Sequence, residues 1–137
     1  MADSQFENLI NLARRDLRML CLAMTSPDLQ SPGLFHAQQA IEKTFKAILS
    51  AKRCPYPLTH NLLLLKKTLT EIDIDCAIED DVLRQILPFG VEARYDEDIE
   101  PLISMDEAHT VVSAVLNWAE QYRPAAPRST QKKPDHI

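Results

Sequence analysis

Hydrophobic residues recur every three or four positions through four segments of the chain, which is the spacing of one face of an α-helix. The four apolar stripes run from Phe6 to Met24, from Leu34 to Ile48, from Leu62 to Leu69 and from Ala108 to Tyr122. Alternating β-branched runs and glycine-centred hairpin turns are absent from the sequence. The pattern therefore predicts an all-α fold, an up-and-down bundle of four to five helices.

Capping residues and prolines predict where these helices begin and end. Helix two should end near Arg53, before Pro55. A fourth helical segment is predicted at 82–95, where Pro88 and Gly90 predict that it is short or kinked. The expected N-caps of helices one, two, three and five are Ser4, Ser31, Thr59 and Ser104, and the first and last of these belong to Ser-x-x-Glu capping boxes.

Length and composition fit one helical domain at 1–123, followed by a flexible, basic, proline-containing tail at 124–137. The N-terminus lacks the features of a signal peptide, and no apolar run approaches the ~20 residues of a membrane span. The three cysteines are odd in number and widely spaced, which indicates reduced thiols rather than a disulfide framework. We therefore expect a cytoplasmic protein.

Charge is distributed unevenly along the chain. The formal net charge is −5, and residues 123–137 hold four basic residues and one acidic residue, so the remainder carries −8. An acidic body repels phosphate backbones, which argues against broad nucleic-acid binding over its surface. Any contact with RNA should be confined to a local basic pocket.

Three short motifs carry a resemblance to a known family. The sequence reads AQQAIEKTFK at 37–46, THNL at 59–62 and ARY at 93–95. In this order and spacing the motifs resemble the HEPN domain, and the resemblance extends over Asn8–Gln121. It implies a helical prokaryotic module that is often encoded beside a minimal nucleotidyltransferase and that commonly forms a homodimer.

The resemblance implies a binding and regulatory module that partners a minimal nucleotidyltransferase and holds a nucleotide or an RNA end. The ligand-binding residues that we predict are Lys43, His60, Arg94 and Tyr95. We predict neither a metal site nor a cofactor, because the acidic residues at 96–100 lack the frame of a calcium-binding loop. The apolar patch expected at a dimer contact comprises Trp118, Tyr122, Ala37 and Ala40.

An alternative interpretation is a metal-independent endoribonuclease toxin of the HEPN type that acts as a dimer. Such enzymes carry an Arg-x(4–6)-His motif at the start of their last long helix. Arg53 and His60 are separated by six residues, but Arg53 ends helix two and His60 starts helix three. Arg94 matches the family position better, but no His follows it at the required offset. The catalytic candidates are thus Arg53, His60 and Arg94, and a structural dimerisation domain without a ligand is a third interpretation.

The same polar residues also have simple packing interpretations. His60 at a helix start is expected to donate a hydrogen bond to a neighbouring carboxylate or carbonyl. Glu42, Lys43 and Lys46 fit a solvated helix face with weak i,i+4 pairing, and a buried pair between Glu42 and Arg94 is the alternative.

Overall fold

A computed structural model describes residues 2–76, 78–86 and 103–125, and these ranges contain five helices and no strand. The all-α prediction is therefore confirmed. Two 3₁₀ turns, at Pro27–Leu29 and Glu120–Tyr122, precede α2 and follow α5. The helices are α1 (Ala2–Ala23), α2 (Gln30–Ala51), α3 (Leu62–Glu71), α4 (Asp80–Ile86) and α5 (Met105–Ala119).

Helix α2 is the centre of the bundle and packs against each of the other four helices. The short connection after α1 makes α1 and α2 an antiparallel hairpin, and their predicted apolar stripes lie in the core. Phe45 is fully buried, as its place in the stripe predicts, and its ring meets Trp118 edge to face, with ring centroids 6.4 Å apart. Trp118 remains only partly buried.

The expected dimer patch is wrong in one part. Ala37 and Ala40 are fully buried inside the chain, because these small residues let α2 approach its neighbours within the bundle. They are consequently unavailable for contact with a second copy. Trp118 and Tyr122, which stack edge to face, keep some exposed surface.

Gly33 lies at a close contact between helices. A Cβ at Gly33 would lie 2.7 Å from Met105 Sδ and 2.9 Å from Ala23 Cβ. The hydrogen-only side chain of Gly33 thus lets the first turn of α2 contact both the end of α1 and the start of α5.

The helix starts confirm one capping prediction and correct three. Ser104 and Glu107 form the predicted capping box at α5. Ser4 lies inside α1, which begins at Ala2, and Ser31 lies inside α2, because the 3₁₀ turn beginning at Pro27 continues directly into that helix. Helix α3 is capped by Asn61 rather than Thr59, since the Asn61 side chain accepts from the amides of the first turn.

Helices α2 and α3 both end in a left-handed residue that is not glycine. Arg53 has φ 55° and Asp73 has φ 63°. In each case the amide of the left-handed residue and the amide of the next residue donate back to the last turn; the second of these bonds runs from Cys54 N to Leu49 O at 2.9 Å and from Ile74 N to Leu69 O at 3.0 Å. This pattern is the Schellman motif, which normally favours glycine at the left-handed position.

The fourth predicted segment is a helix as far as Ile86, and Asp80 and Asp81 lie in its first turn, where the helix dipole favours acidic residues. The remainder of that segment and the tail from 126 lie outside the described residues. The three cysteines are free thiols. Among the described residues, no helix has the length and apolar character needed to cross a bilayer.

Candidate functional site

One side of α2 carries a row of polar residues that the neighbouring helices shelter only in part. Residues spaced three or four apart fall on one side of a helix, and here they define what we call the polar strip. Each of its members is partly exposed, in a helix whose other residues are mostly buried. The polar strip comprises His36, Gln39, Lys43, Lys46 and Ser50.

A buried carboxylate borders one edge of the strip. Glu42 is only 4% exposed, and its two oxygens lie 3.0 and 3.1 Å from His60 Nδ1. Lys46 Nζ donates to Glu42 Oε2 at 2.8 Å, one turn along the same helix. We call Glu42, Lys46 and His60 the Glu42 cluster. Its carboxylate is compensated by hydrogen bonds and by a nearby ammonium, as a buried charge requires.

His60 is held through its backbone as well as its ring. The Gln38 side chain is fully buried, and its Nε2 donates to the His60 carbonyl oxygen at 2.9 Å. Gln38 and Glu42 lie one turn apart on α2, so a single helix face fixes both the loop before α3 and the imidazole that the loop carries. Asn61 then caps α3 directly after this anchor.

This arrangement sets the hydrogen-bonding roles of the two imidazole nitrogens. A carboxylate can only accept, so Nδ1 of His60 carries the proton that faces Glu42. Nε2 is then the ring nitrogen left for a ligand, and the side chain is 59% exposed. The Glu42 cluster thus presents an oriented imidazole to solvent, with the Lys46 ammonium beside the same carboxylate.

A second carboxylate borders the opposite edge of the strip. Asp16 comes from the middle of α1 and is 6% exposed. Its Oδ1 lies 2.8 Å from His36 Nδ1, and its Oδ2 accepts from Lys43 Nζ at 2.7 Å. We call Asp16, His36 and Lys43 the Asp16 cluster. It repeats the chemical composition of the Glu42 cluster, one buried carboxylate with one lysine and one histidine.

The structure separates the residues that the sequence grouped into one pocket. Lys43 and His60 border the same strip but bind different carboxylates. Arg53 lies in the Schellman turn after α2, where its side chain is exposed. Arg94 and Tyr95 lie outside the described residues, so their predicted places in the pocket stay predictions.

The packing interpretations have different outcomes. His60 does meet a neighbouring carboxylate at a helix start, so that interpretation is confirmed. The solvated face is wrong for Glu42, which is buried because Gln38, Lys46 and His60 surround it. The alternative partner of Glu42, Arg94, lies outside the described residues.

Sequence reasoning missed the Asp16 cluster altogether. Asp16 follows Ala13 by one helical turn and so falls on the buried side of α1. A carboxylate at such a position requires a partner, and that signal was available in the sequence. The identity of its partners was not, because Lys43 lies 27 residues away along the chain.

Outside the strip, ion pairs link α1 to the 3₁₀ turn that follows α5. Glu120 accepts from Arg123 at 2.7 Å and from Arg14 at 2.8 Å, and Arg123 also pairs with Glu7. The hydrogen bond from Arg123, reinforced by both guanidinium charges, holds the pKa of Glu120 below its usual value. These groups are partly exposed, and their role is to stabilise the contact between α1 and the turn after α5. Within the described ranges, no cluster of His, Cys, Asp and Glu could hold a metal ion.

Comparison with protein families gives one match. The model of the HEPN domain family matches residues 6–122 of this chain. No curated protein and no solved structure gives a significant match. The matched range contains all five described helices from Phe6 onward, together with both carboxylate clusters.

Proposed function

Because the chain belongs to the HEPN domain family, we propose that it is a binding and regulatory module that holds the phosphate of a nucleotide or an RNA end. The Glu42 cluster is the proposed phosphate-binding site. Arg94 and Tyr95, with which the sequence predicts His60 to share a pocket, complete the proposal, whereas Lys43, predicted for the same pocket, binds Asp16 and belongs to the Asp16 cluster.

The orientation of His60 is the observation that carries this proposal. Glu42 fixes Nδ1 from a buried position, and Gln38 fixes the carbonyl, so the exposed Nε2 is pre-positioned. A protonated imidazole can donate to a phosphate oxygen from Nε2. Lys46 has three N–H donors, and its bond to Glu42 leaves others for the same anion. Pre-positioned donors lose less conformational entropy on binding.

The proposed partner is a minimal nucleotidyltransferase, acting with this chain in the cytoplasm. That part of the proposal is supported by the family alone. It agrees with the ligand class, because a nucleotidyltransferase uses nucleotides, and the phosphate site would lie on the module that regulates it. A homodimer is proposed on the same basis, with Trp118 and Tyr122 as contact residues that retain exposed surface.

Binding of a short RNA that carries a fluorophore at its 3′ end tests the proposal. Fluorescence anisotropy would compare 5′-phosphorylated with 5′-hydroxyl RNA on the parent protein, His60→Gln and Lys67→Gln. Lys67 is an exposed lysine on α3 and serves as the control. We expect a preference for the 5′-phosphate of about tenfold or more, since hydrogen bonds to charged groups contribute about 1.5–3 kcal/mol. The preference should vanish in His60→Gln and persist in Lys67→Gln. Equal binding of both RNAs by the parent would contradict the proposal.

An endoribonuclease is the second candidate, and the carboxylate-bound imidazole favours it. A histidine whose Nδ1 is held by a carboxylate can exchange a proton at Nε2, which is the role of a general base. Arg53 and Arg94 would then be the candidates that steady the phosphate. Incubation of the purified protein with mixed RNA in excess EDTA tests this activity. RNA cleavage by the parent protein that is lost in His60→Gln supports the endoribonuclease. If the RNA stays intact at micromolar protein concentration, the endoribonuclease is contradicted and the binding module remains the proposed function.

A further inference from the structure

The polar strip is bordered by two clusters of the same chemistry, and the family-based function uses only one of them. The Glu42 cluster and the Asp16 cluster each contain one buried carboxylate, one lysine and one histidine. In each, the carboxylate meets Nδ1 of the imidazole and the lysine ammonium. In each cluster a buried carboxylate holds a lysine and a histidine beside the polar strip. Ion pairs on a solvated helix face need no such buried carboxylate.

The two clusters lie side by side along α2. On α2, the residues of the Asp16 cluster are His36 and Lys43, which centre near residue 40, and those of the Glu42 cluster are Glu42 and Lys46, which centre at residue 44. At a rise of 1.5 Å per residue, the two centres are about 6–7 Å apart along the helix axis. Because the clusters also lie on opposite edges of the strip, this axial separation is a lower limit, and adjacent phosphates of an extended nucleotide chain are spaced at about that distance. The two phosphates of a diphosphate group are much closer together.

Gln39 lies on the strip between the clusters. Its Nε2 donates to Gln38 Oε1 at 2.7 Å and approaches Glu42 Oε1 at 3.5 Å. The strip is therefore continuous and polar from one cluster to the other. Lys43 and His36 have side chains that are each 26% exposed, so the Asp16 cluster is within reach of a ligand seated on the strip.

We propose that the Asp16 cluster is a second phosphate subsite and that the polar strip binds two consecutive phosphates of a single-stranded nucleotide chain. This inference rests on the proposed function, in which the Glu42 cluster holds the terminal phosphate. Lys43 and His36 would contact the next phosphate, and Asp16 acts through them as a positioning residue. The acidic body elsewhere on the protein confines the chain to this strip.

Calorimetric titration with three probes tests the second subsite: 5′-AMP, ADP and the 5′-phosphorylated dinucleotide pApA. The parent protein should bind pApA about tenfold or more tightly than 5′-AMP, because pApA gains charge-assisted hydrogen bonds at the second cluster. The affinity of ADP for the polar strip should be no higher than that of 5′-AMP. Lys43→Gln and His36→Gln should reduce pApA to the affinity of 5′-AMP while leaving 5′-AMP unchanged.

A salt titration supplies a readout that a merely structural role of Lys43 would not move. The slope of log K against log salt concentration for pApA should be less steep in Lys43→Gln than in the parent protein, because one contact between a cation and a phosphate is lost. Lys67→Gln is the control of equal charge change and should keep the parent slope. Thermal unfolding of each variant confirms that it is folded, and Lys43→Arg should retain the preference for pApA.

The outcomes separate this inference from the proposed function. If 5′-AMP binds and depends on His60, but pApA gains nothing or Lys43→Gln changes nothing, the second subsite is wrong and the proposed function survives. If ADP equals pApA on the parent, the strip recognises a diphosphate and the nucleotide-chain inference is overturned. If none of the three probes binds, both proposals fail.

Discussion

Replacing Glu42 with Gln should destabilise the protein as well as disturb the site. The change removes one negative charge from a position that is 4% exposed and keeps the shape of the side chain. Lys46 Nζ at 2.8 Å and His60 Nδ1 at 3.0 Å would both lose a charged acceptor. Lys46, whose side chain is only 15% exposed, would be left as a sheltered cation without a counter-charge.

The expected cost follows from burial and exposure together. Removing one partner of a fully buried ion pair costs about 3–5 kcal/mol. The cost at Glu42 should be smaller, because His60 is largely exposed and because the amide oxygen of Gln can still accept a hydrogen bond from Lys46. We expect Glu42→Gln to lower the free energy of unfolding by about 1.5–3 kcal/mol, the range for hydrogen bonds to charged groups.

Urea unfolding followed by far-ultraviolet circular dichroism measures this change. Glu71→Gln, at an exposed position on α3, is the matched control and should stay within about 0.5 kcal/mol of the parent. A double-mutant cycle with Lys46→Met should give a coupling of about 1 kcal/mol or more between Glu42 and Lys46. A Glu42→Gln variant as stable as the Glu71→Gln control would refute the assignment of a charged, paired carboxylate at this position.

Three further changes test the bundle itself. Phe45→Ala should cost about 3–5 kcal/mol in urea unfolding, and a loss under about 1 kcal/mol would contradict its burial in the core. Arg53→Gly should raise stability by about 0.5–1 kcal/mol, because the left-handed conformation at φ 55° costs a non-glycine residue about 1–2 kcal/mol and the greater entropy of unfolded glycine offsets about 0.5–1 kcal/mol of that; a loss of stability would show that the Arg53 side chain matters to the fold. Glu120→Gln should destabilise slightly at pH 7. Since the pKa of Glu120 is lowered on folding, its contribution is present above its usual pKa of 4.5 and is lost as the pH falls below that value. Parent and variant should therefore converge in acid, and a difference that grows in acid would reverse the assignment.

The parts of the fold that the sequence predicted depend on local spacing. The stripe of α2 and the capping box of Ser104 are readable because their partners lie within a few residues of each other. The sequence predicts Thr59 as the cap of α3, whereas Asn61 caps it in the structure, and both residue types cap helices. The choice depended on where the chain turns, and the anchor of that turn is the bond from Gln38 to the His60 carbonyl, 22 residues apart.

The site was less predictable because its contacts are long-range. The resemblance identified His60 and Lys43 as ligand candidates, but their carboxylate partners come from different elements. Asp16 meets Lys43 only because α1 and α2 pack antiparallel at that register. Spacing along the sequence carries no information about which of several carboxylates meets a given lysine. Packing of the helices decides it.

The state of the His60 imidazole during ligand titration tests the central claim most directly. Long-range ¹H–¹⁵N NMR correlation spectra distinguish the two ring nitrogens and report which one carries the proton. We predict that the neutral imidazole of the free protein carries its proton on Nδ1, and that the Nε2 resonance shifts when 5′-AMP is added but not when adenosine is added. The His109 ring, on α5, should not respond. A free protein with the proton on Nε2, or a His60 ring that ignores 5′-AMP, would contradict the account.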